Sequence, residues 1–462
     1  MHKWLKQFGF TPASLFTIAL ITANAQLIYA FWDIRNTLPK DFPAAMGVTD
    51  AQAGQLYSMQ GLVILLGTIA LGWVGDRFSI RSIMMIATLG VGGISAFITF
   101  SSPHLSMSVL LICFLSMLLF SEVLFKPANF KALRVSTTED HQASAFGLFE
   151  FGRGLLAFLI SLLWTAMLAM GASARTIMVT ATVIIFVAGF AVFFAVPKGQ
   201  KVGDDDEEES ASNTMEALKG VGHVAKMPIV WIAGINCFCI YGTFVAVGTY
   251  FARYLQAGYA AQATFAAVFA TVVIALRMLP LVSTVLVEKV FKTTAHFMRL
   301  FEIILALIML LIGCIFYTNN PLPQEFAPGN VPSTDQFISN GMLWCLIGLM
   351  IVAAACTFMV RGVYYAPIGE FGVPKKHSSA AMSFAITIGY IPALLAPIVL
   401  GGLIVPDQKD VTGQVVMNVM TNTKSLSYAF FGLAVLVGVA AVMSHILIKM
   451  KEHRDAQTKA NA

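Results

Sequence analysis

Six charged side chains interrupt long apolar stretches of the sequence, and they are the residues best suited to chemistry inside a membrane. They are Lys126, Arg153, Arg277, Arg361, Glu122 and Glu150. A charge at the centre of a bilayer costs at least about 2.5–3.5 kcal/mol on insertion scales, so each is expected to face a cavity or a partner. Together they predict a site for ion binding within the membrane.

The three arginines predict an anionic substrate. At a rise of about 1.5 Å per residue, Arg153 and Arg277 lie about 16 Å from the ends of their helices and Arg361 about 14 Å, near the middle of a core about 30 Å thick. A guanidinium group binds carboxylate, sulfonate or phosphate through two parallel hydrogen bonds and stays charged. Further candidates for substrate contact are Lys126, Tyr364 and Tyr365.

Two acidic residues are candidates for proton coupling. Glu122 precedes Lys126 by four residues and Glu150 precedes Arg153 by three, so each pair shares a helical face. An anion bound to Arg153 would weaken its attraction for Glu150 and favour protonation of that carboxylate. The alternative is that both pairs are static, and that the arginines only hold helices together.

The elements that position these residues are transmembrane helices. Of the 462 residues, 58% are apolar and 11% are charged, whereas a soluble domain carries about 25% charged residues. This composition excludes a soluble enzyme, a disordered protein and a nucleic-acid binder, and it makes the lipid bilayer the main partner. Twelve apolar runs are long enough to span a membrane. They are residues 13–32, 54–75, 83–102, 106–128, 143–170, 174–197, 227–250, 262–287, 296–317, 340–366, 379–404 and 427–448.

A polar segment divides the twelve spans into two sets of six. Residues 198–226 contain the acidic run Asp204–Glu209, which is typical of a solvated linker. The predicted domains are an N-terminal bundle (1–197), this cytoplasmic linker, a C-terminal bundle (227–449) and a cytoplasmic tail (450–462). Loops on one side hold 19 Lys and Arg residues and loops on the other hold 6, which places both termini in the cytoplasm.

A signal-peptidase site is the competing interpretation of the first span. Ala23-Asn24-Ala25 resembles such a site, and cleavage there would leave eleven spans. The apolar run continues through Leu27 to Trp32, so we expect the first span to be retained.

The loop after the second span carries a family resemblance. The sequence Gly72-Trp-Val-Gly75-Asp76-Arg77-Phe78-Ser79-Ile80-Arg81 resembles the loop G-x-x-x-D-R-x-G-R-R of the major facilitator superfamily. Ser79 replaces the usual glycine, and Ser82 replaces the last basic residue. The resemblance implies an all-α membrane protein with twelve helices in two six-helix bundles, which moves its substrate by alternating access. It also implies that Asp76, Arg77 and Arg81 form a latch at the inner gate.

Two further stretches narrow the resemblance. They resemble the YihN-like branch of bacterial major facilitator transporters, which is often filed beside nitrate/nitrite porters. The first is Phe146–Gly154, and the second is Arg361–Glu370 leading into Gly389-Tyr390-Ile-Pro392. The arginine that nitrate porters carry in the second span is absent from residues 54–75, and the proline of the drug-exporter signature is absent from the fifth span. The resemblance therefore implies a transporter and leaves its cargo undefined.

The sequence thus predicts a monomeric, multi-pass secondary transporter of the inner membrane that carries a small organic anion together with protons. It contains no phosphate loop, zinc-binding pattern or nucleophile triad, so we expect no enzyme activity, cofactor or metal, and transport driven by ion gradients. One alternative is a proton-driven exporter of hydrophobic or cationic compounds. Another is a transporter-like membrane sensor, which would need a partner at its cytoplasmic surface.

Overall fold

A computed structural model provides the structure of the chain. It describes residues 12–67, 79–135, 142–195, 226–291, 293–321, 324–328, 330, 332–367, 384–410 and 414–460. The helices in chain order are α1 (Pro12–Leu27), α2 (Ala30–Thr37), α3 (Asp41–Ala45), α4 (Asp50–Leu62), α5 (Ile80–Ser101), α6 (Met107–Leu118), α7 (Lys126–Val135), α8 (Gln142–Ala169), α9 (Ala174–Ala195), α10 (Pro228–Val245), α11 (Phe251–Tyr259), α12 (Ala263–Ala275), α13 (Pro280–Leu286), α14 (Thr294–Thr318), α15 (Asn340–Arg361), α16 (Ile391–Gly402) and α17 (Thr423–Ala460).

Short π-helical segments extend four of these helices. They are Val63–Gly67 after α4, Leu119–Phe125 after α6, Ala246–Tyr250 after α10 and Val287–Phe291 after α13. Such segments are rare in proteins and occur frequently at functional sites. One of them contains Glu122, which is a predicted site residue.

The chain forms two compact units. The first comprises Met1–Glu207 together with Ala263–Ala275, and the second comprises Glu208–Gln262 together with Leu276–Ala462. In the first unit, α1 and α5 each pack against α9, and α8 packs against α1 and α12. In the second unit, α14 and α17 pack along each other, and α10 packs against α15, α16 and α17.

The membrane-spanning character of the fold is confirmed. Among the described residues, ten helices are long and apolar enough to cross a bilayer. The bent pair Leu15–Leu27 and Ala30–Thr37, whose parts meet at 58°, brings the number to eleven when it is counted as one span. The expected span 54–75 begins within α4 and its π-helical extension, and its last eight residues lie outside the described part of the chain.

Hydroxyl side chains fix the beginnings of several helices. The Thr49 hydroxyl accepts a hydrogen bond from the backbone N–H of Gln52, while the Gln52 side chain accepts one from the Thr49 backbone N–H. Ser79, Ser106 and Ser339 cap α5, α6 and α15 in the same way, through their hydroxyl oxygens. These bonds satisfy backbone donors that a helix leaves unpaired at its first turn.

A small β-sheet was not predicted from the sequence. It has the order β1–β3–β2, with antiparallel strands Glu325–Phe326 (β1), Val415–Val419 (β3) and Gln408–Lys409 (β2). Glu325 pairs with Val419, and Gln408 pairs with Met417. The sheet joins the connection that follows α14 to the connection that follows α16, and both belong to the second unit.

Candidate functional site

The second unit brings two of the predicted arginines to one aromatic ring. Arg361 is the last residue of α15, and its Cζ atom lies 3.9 Å from the centroid of the Phe244 ring on α10. Arg277 lies in a short 3₁₀ turn after α12, and its Cζ atom lies 5.9 Å from the same centroid. The faces of aromatic rings attract cations. Phe244 therefore brings the two guanidinium groups to one place.

Residues of α10 and its extension form one wall of this site. Tyr241, Phe244 and Gly248 recur at a helical spacing that places them on one face. The Cζ atom of Arg361 lies 5.9 Å from the Tyr241 ring, whose centroid is 4.2 Å from that of Tyr390. A Cβ atom built on Gly248 would lie 3.7 Å from Nη2 of Arg277, so this glycine faces the arginine.

The predicted tyrosines lie beside this site and pack against each other. The ring centroids of Tyr364 and Tyr365 are 4.3 Å apart. Tyr364 is buried, and the Tyr365 hydroxyl accepts a hydrogen bond from the Cys237 thiol at 3.2 Å. Their contacts with α10 support a packing role, and their proposed contact with substrate stays a prediction.

A close helix crossing sets the position of Arg361. A Cβ atom built on Gly362, the residue that follows Arg361, would lie 2.7 Å from Cβ and 2.9 Å from Cα of Pro280. Only a glycine fits this gap, because the nearest neighbour is partly backbone. Pro280 begins α13, three residues after Arg277, so the crossing also sets the position of the second arginine.

In the first unit, Glu122 lies at the centre of a cluster of polar side chains. Its side chain is buried, and Lys126 Nζ binds Glu122 Oε2 at 3.0 Å. Glu122 Oε1 accepts hydrogen bonds from the Tyr29 hydroxyl at 3.1 Å and from Gln60 Nε2 at 3.2 Å. A carboxylate with three donors is stabilised in its charged form. This environment favours a fixed anion at Glu122.

Arg35 extends this cluster and was missed as a site residue. The predicted first span ends at residue 32 and leaves Arg35 outside it, but α2 follows that span after a bend and carries Arg35. Its Cζ atom lies 4.0 Å from the Trp32 ring and 4.9 Å from the Tyr57 ring, and Nη2 donates to Gln60 Oε1 at 3.5 Å. Trp32 and Arg35 are three residues apart, so they share a helical face, and this spacing in the sequence could have indicated their contact.

Arg153 and Glu150 form a looser pair in the same unit. Arg153 Nη1 binds Glu150 Oε1 at 3.3 Å, and the exposed fractions of the two side chains are 29% and 62%. The Cζ atom of Arg153 lies 5.6 Å from the Phe149 ring. The pair is therefore held by a single contact and is less enclosed than the Glu122–Lys126 pair.

The predicted gate residues are described only in part. Asp76 and Arg77 lie outside the described residues. Arg81 lies in the first turn of α5, and its Cζ atom is 5.0 Å from the Phe193 ring on α9. The latch stays a prediction.

The structure therefore groups the predicted residues into three places. Arg277 and Arg361 share Phe244 in the second unit, while Glu122–Lys126 and Glu150–Arg153 are separate pairs in the first. Within the described part of the chain, no group of three His, Cys, Asp or Glu side chains is arranged to hold a metal ion.

Comparison with known proteins identifies the class to which this fold belongs. The sequence model of the Major Facilitator Superfamily matches residues 14–397, so the chain belongs to that superfamily. Its members are transporters, and the chain is a multi-pass secondary transporter of small molecules and not an enzyme.

Two curated relatives come from Escherichia coli strain K12. The inner membrane protein YihN is 21% identical over 458 residues, which cover 96% of this chain and 97% of YihN. The inner membrane protein YqcE is 20% identical over 393 residues, which cover 83% of this chain and 86% of YqcE. The predicted resemblance to the YihN-like branch is confirmed.

Solved structures of transporters share the fold. A point variant of the nucleoside transporter NupG has a TM-score of 0.69 at 14% identity, covering 93% of this chain and 99% of that chain. A D-xylose–proton symporter has a TM-score of 0.66 at 11% identity, covering 93% and 97%. At these identities the likeness defines the fold and leaves the substrate open.

Proposed function

We propose that this protein carries a small organic anion, such as a sugar acid, carboxylate or sulfonate, together with protons. The convergence of Arg277 and Arg361 on Phe244 supports this proposal most directly. An anion bound beside both guanidinium groups would form charge-assisted hydrogen bonds with them, which are stronger than hydrogen bonds between neutral groups.

Arg153 is the proposed anion contact of the first unit, and Glu150 is the group that exchanges the proton. The single hydrogen bond between them, together with the exposure of Glu150, supports this assignment. Glu122 is the less favoured candidate for the proton, because three donors hold its carboxylate. Lys126 accordingly serves as the partner of Glu122 and as a secondary candidate for anion contact.

An uptake assay in proteoliposomes with a trapped pH dye tests the proposed function. The panel comprises sugar acids, short carboxylates, sulfonates, organophosphates, nitrate and nitrite, with cationic dyes as the opposing class. Internal acidification with one class of anion supports anion–proton symport. Responses to cationic dyes alone would contradict it and favour an exporter, whereas silence across the panel would favour a membrane sensor.

Replacing Glu150 with glutamine is expected to abolish proton-driven accumulation while leaving anion exchange intact. Glutamine keeps the shape of the protonated side chain but cannot release a proton. Accumulation under a pH gradient and exchange of labelled for unlabelled anion should be compared in the same proteoliposomes. Glu452→Gln is the matched control, since Glu452 pairs with Lys449 on an exposed part of α17. Full accumulation by the Glu150 variant would remove this residue from the coupling mechanism.

We also propose that both termini face the cytoplasm of a cell whose inner membrane holds the protein. The excess of Lys and Arg in the connecting segments supports this orientation. The exposed strand residue Gln408 then lies outside the cytoplasm. In a variant without native cysteines, Gln408→Cys should react with a membrane-impermeant maleimide added to intact cells, whereas Glu452→Cys should not. The opposite labelling pattern would invert the proposed topology.

A further inference from the structure

A buried acid in the second unit has no part in the site described above. Glu302 lies in α14 and is 0% exposed, and it was not among the charges singled out from the sequence. Asn236 on α10 and Ser444 on α17 are also 0% exposed. Asn236 Nδ2 donates to Glu302 Oε1 at 2.7 Å, and it lies 3.1 Å from both the Ala440 carbonyl and the Ser444 hydroxyl. The amide thus joins three helices.

Two oxygen atoms of this cluster remain unsatisfied. Within the described part of the chain, Glu302 Oε2 and Asn236 Oδ1 are buried and have no hydrogen-bond partner. An ionised carboxylate can only accept hydrogen bonds, and an amide oxygen can only accept them as well. Two such acceptors cannot satisfy each other, and a buried polar atom without a hydrogen-bond partner destabilises the folded protein.

One proton on Glu302 would change this arrangement. A protonated carboxyl group has an O–H donor, and the unsatisfied acceptor Asn236 Oδ1 belongs to the amide that already binds the other carboxyl oxygen. The acid and the amide would then form a pair with two hydrogen bonds. Burial also favours the neutral form, because an ionised carboxylate is costly to bury unless a counter-ion pairs with it.

The first unit contains a corresponding cluster in which the donor is a hydroxyl group. Asn24 on α1 donates through Nδ2 to the Ala188 carbonyl on α9 at 2.8 Å. The Thr88 hydroxyl on α5 lies 3.2 Å from its Oδ1 and 2.8 Å from the Met84 carbonyl, so its one proton is shared between two acceptors. Asn24 thus joins α1, α5 and α9 as Asn236 joins α10, α14 and α17. At the place of the Thr88 hydroxyl, Glu302 can donate to its asparagine only when its carboxyl group is protonated.

The charged and titratable groups nearby do not offer Glu302 a counter-ion. In the described residues, no Lys, Arg or His nitrogen lies within 4.0 Å of its carboxyl oxygens. The titratable or charged groups on these three helices include Cys239 on α10, His296 and Arg299 on α14, and His445 and Lys449 on α17. The Ser444 hydroxyl on α17 lies close to the carboxyl group and is a neutral partner. Arg299 Nη1 instead bonds His445 Nδ1 at 3.1 Å on an exposed surface, and Lys449 binds Glu452.

We propose that Glu302 is a proton-binding site, in which a resident proton closes a two-bond pair with Asn236 and holds α10, α14 and α17 together. Removal of this proton would leave a buried charge among three packed helices. Since the folded protein binds the proton and the unfolded chain at neutral pH does not, the stability of the protein should fall as the pH rises. This inference does not depend on the identity of the transported substrate.

Infrared spectroscopy of the full-length protein in lipid nanodiscs tests the proposal directly. At neutral pH, the parent protein should show the carbonyl band of a protonated carboxylic acid, and Glu302→Gln should lack it. Glu302→Thr, which recreates the hydroxyl of the first unit, should lack the band as well and provides a second variant. The matched control Glu452→Gln should keep the acid band, since Glu452 is exposed and bound to Lys449.

Thermal unfolding provides the second measurement. The melting temperature of the parent protein should fall as the pH rises above about 4.3, the ordinary pKa of a glutamic acid, until Glu302 itself loses its proton. That of Glu302→Gln should fall less over the same range, because glutamine can form both hydrogen bonds with Asn236 at any pH. An acid band that persists in both Glu302 variants would overturn the proposal. If Glu302→Gln instead lost the band of an ionised carboxylate, Glu302 would be charged in the parent protein, which would also overturn the proposal. So would an equal dependence of the melting temperature on pH in the parent and in Glu302→Gln.

Discussion

Replacing Arg361 with alanine is expected to reduce saturable uptake of the anionic substrate by about 10- to 100-fold. Hydrogen bonds to charged groups contribute about 1.5–3 kcal/mol each, and 1.4 kcal/mol corresponds to a factor of ten in affinity. Arg361 lies closest to the Phe244 ring and should therefore dominate the contact. Initial uptake rates in proteoliposomes, normalised to the amount of folded protein, provide the measurement.

Two variants serve as controls for this prediction. Arg361→Lys keeps the charge but loses the planar fork of donors, so its uptake should lie between the parent and the alanine variant. Arg299→Ala removes an arginine from the same unit that bonds His445 on an exposed surface, and it should leave uptake unchanged. Equal uptake by Arg361→Ala and the parent would contradict the anion site, and equal losses for both alanine variants would indicate a general effect of charge.

Replacing Gly362 with alanine is expected to reduce uptake by more than about tenfold without changing any charge. The added methyl group would overlap Pro280, whose backbone cannot move alone, and overpacking of this kind costs about 1–3 kcal/mol. To relieve the contact, α13 must move away from the end of α15. That movement separates Arg277 from Arg361, so both transport and melting temperature should fall.

A glycine in the same helix provides the matched control. A Cβ atom built on Gly348 meets nothing within 4 Å, so Gly348→Ala adds a methyl group in open space. Alanine is favoured over glycine inside helices by about 0.5–1 kcal/mol, so this variant should be at least as stable as the parent. Normal uptake by Gly362→Ala would show that the distance between the two arginines does not determine transport.

Local features of the site could be predicted from the sequence. The apolar runs indicated the membrane spans because a helix needs about 20 such residues to cross a bilayer. The pairs Glu122–Lys126 and Glu150–Arg153 were also predictable, since spacings of four and three residues place side chains together on one helix.

Contacts between distant segments could not be predicted in this way. Phe244 contacts both Arg277 and Arg361 only because α10, α15 and the 3₁₀ turn after α12 come together. No regular spacing in the sequence links these three residues. Glu302 is a single acid in a 25-residue apolar helix. Its hydrogen bonding depends on Asn236, which lies 66 residues away in the sequence. The β-sheet has strands of two to five residues, which are too short for an alternating pattern.

The same β-sheet constrains how the second unit can deform. Its strands fasten the connection after α14 to the connection after α16, and each connection leads into another long helix, α15 or α17. Backbone hydrogen bonds thus hold this end of the four helices at a fixed spacing. Any displacement of α14 and α15 relative to α16 and α17 at this end must therefore carry both pairs together or break hydrogen bonds of the sheet.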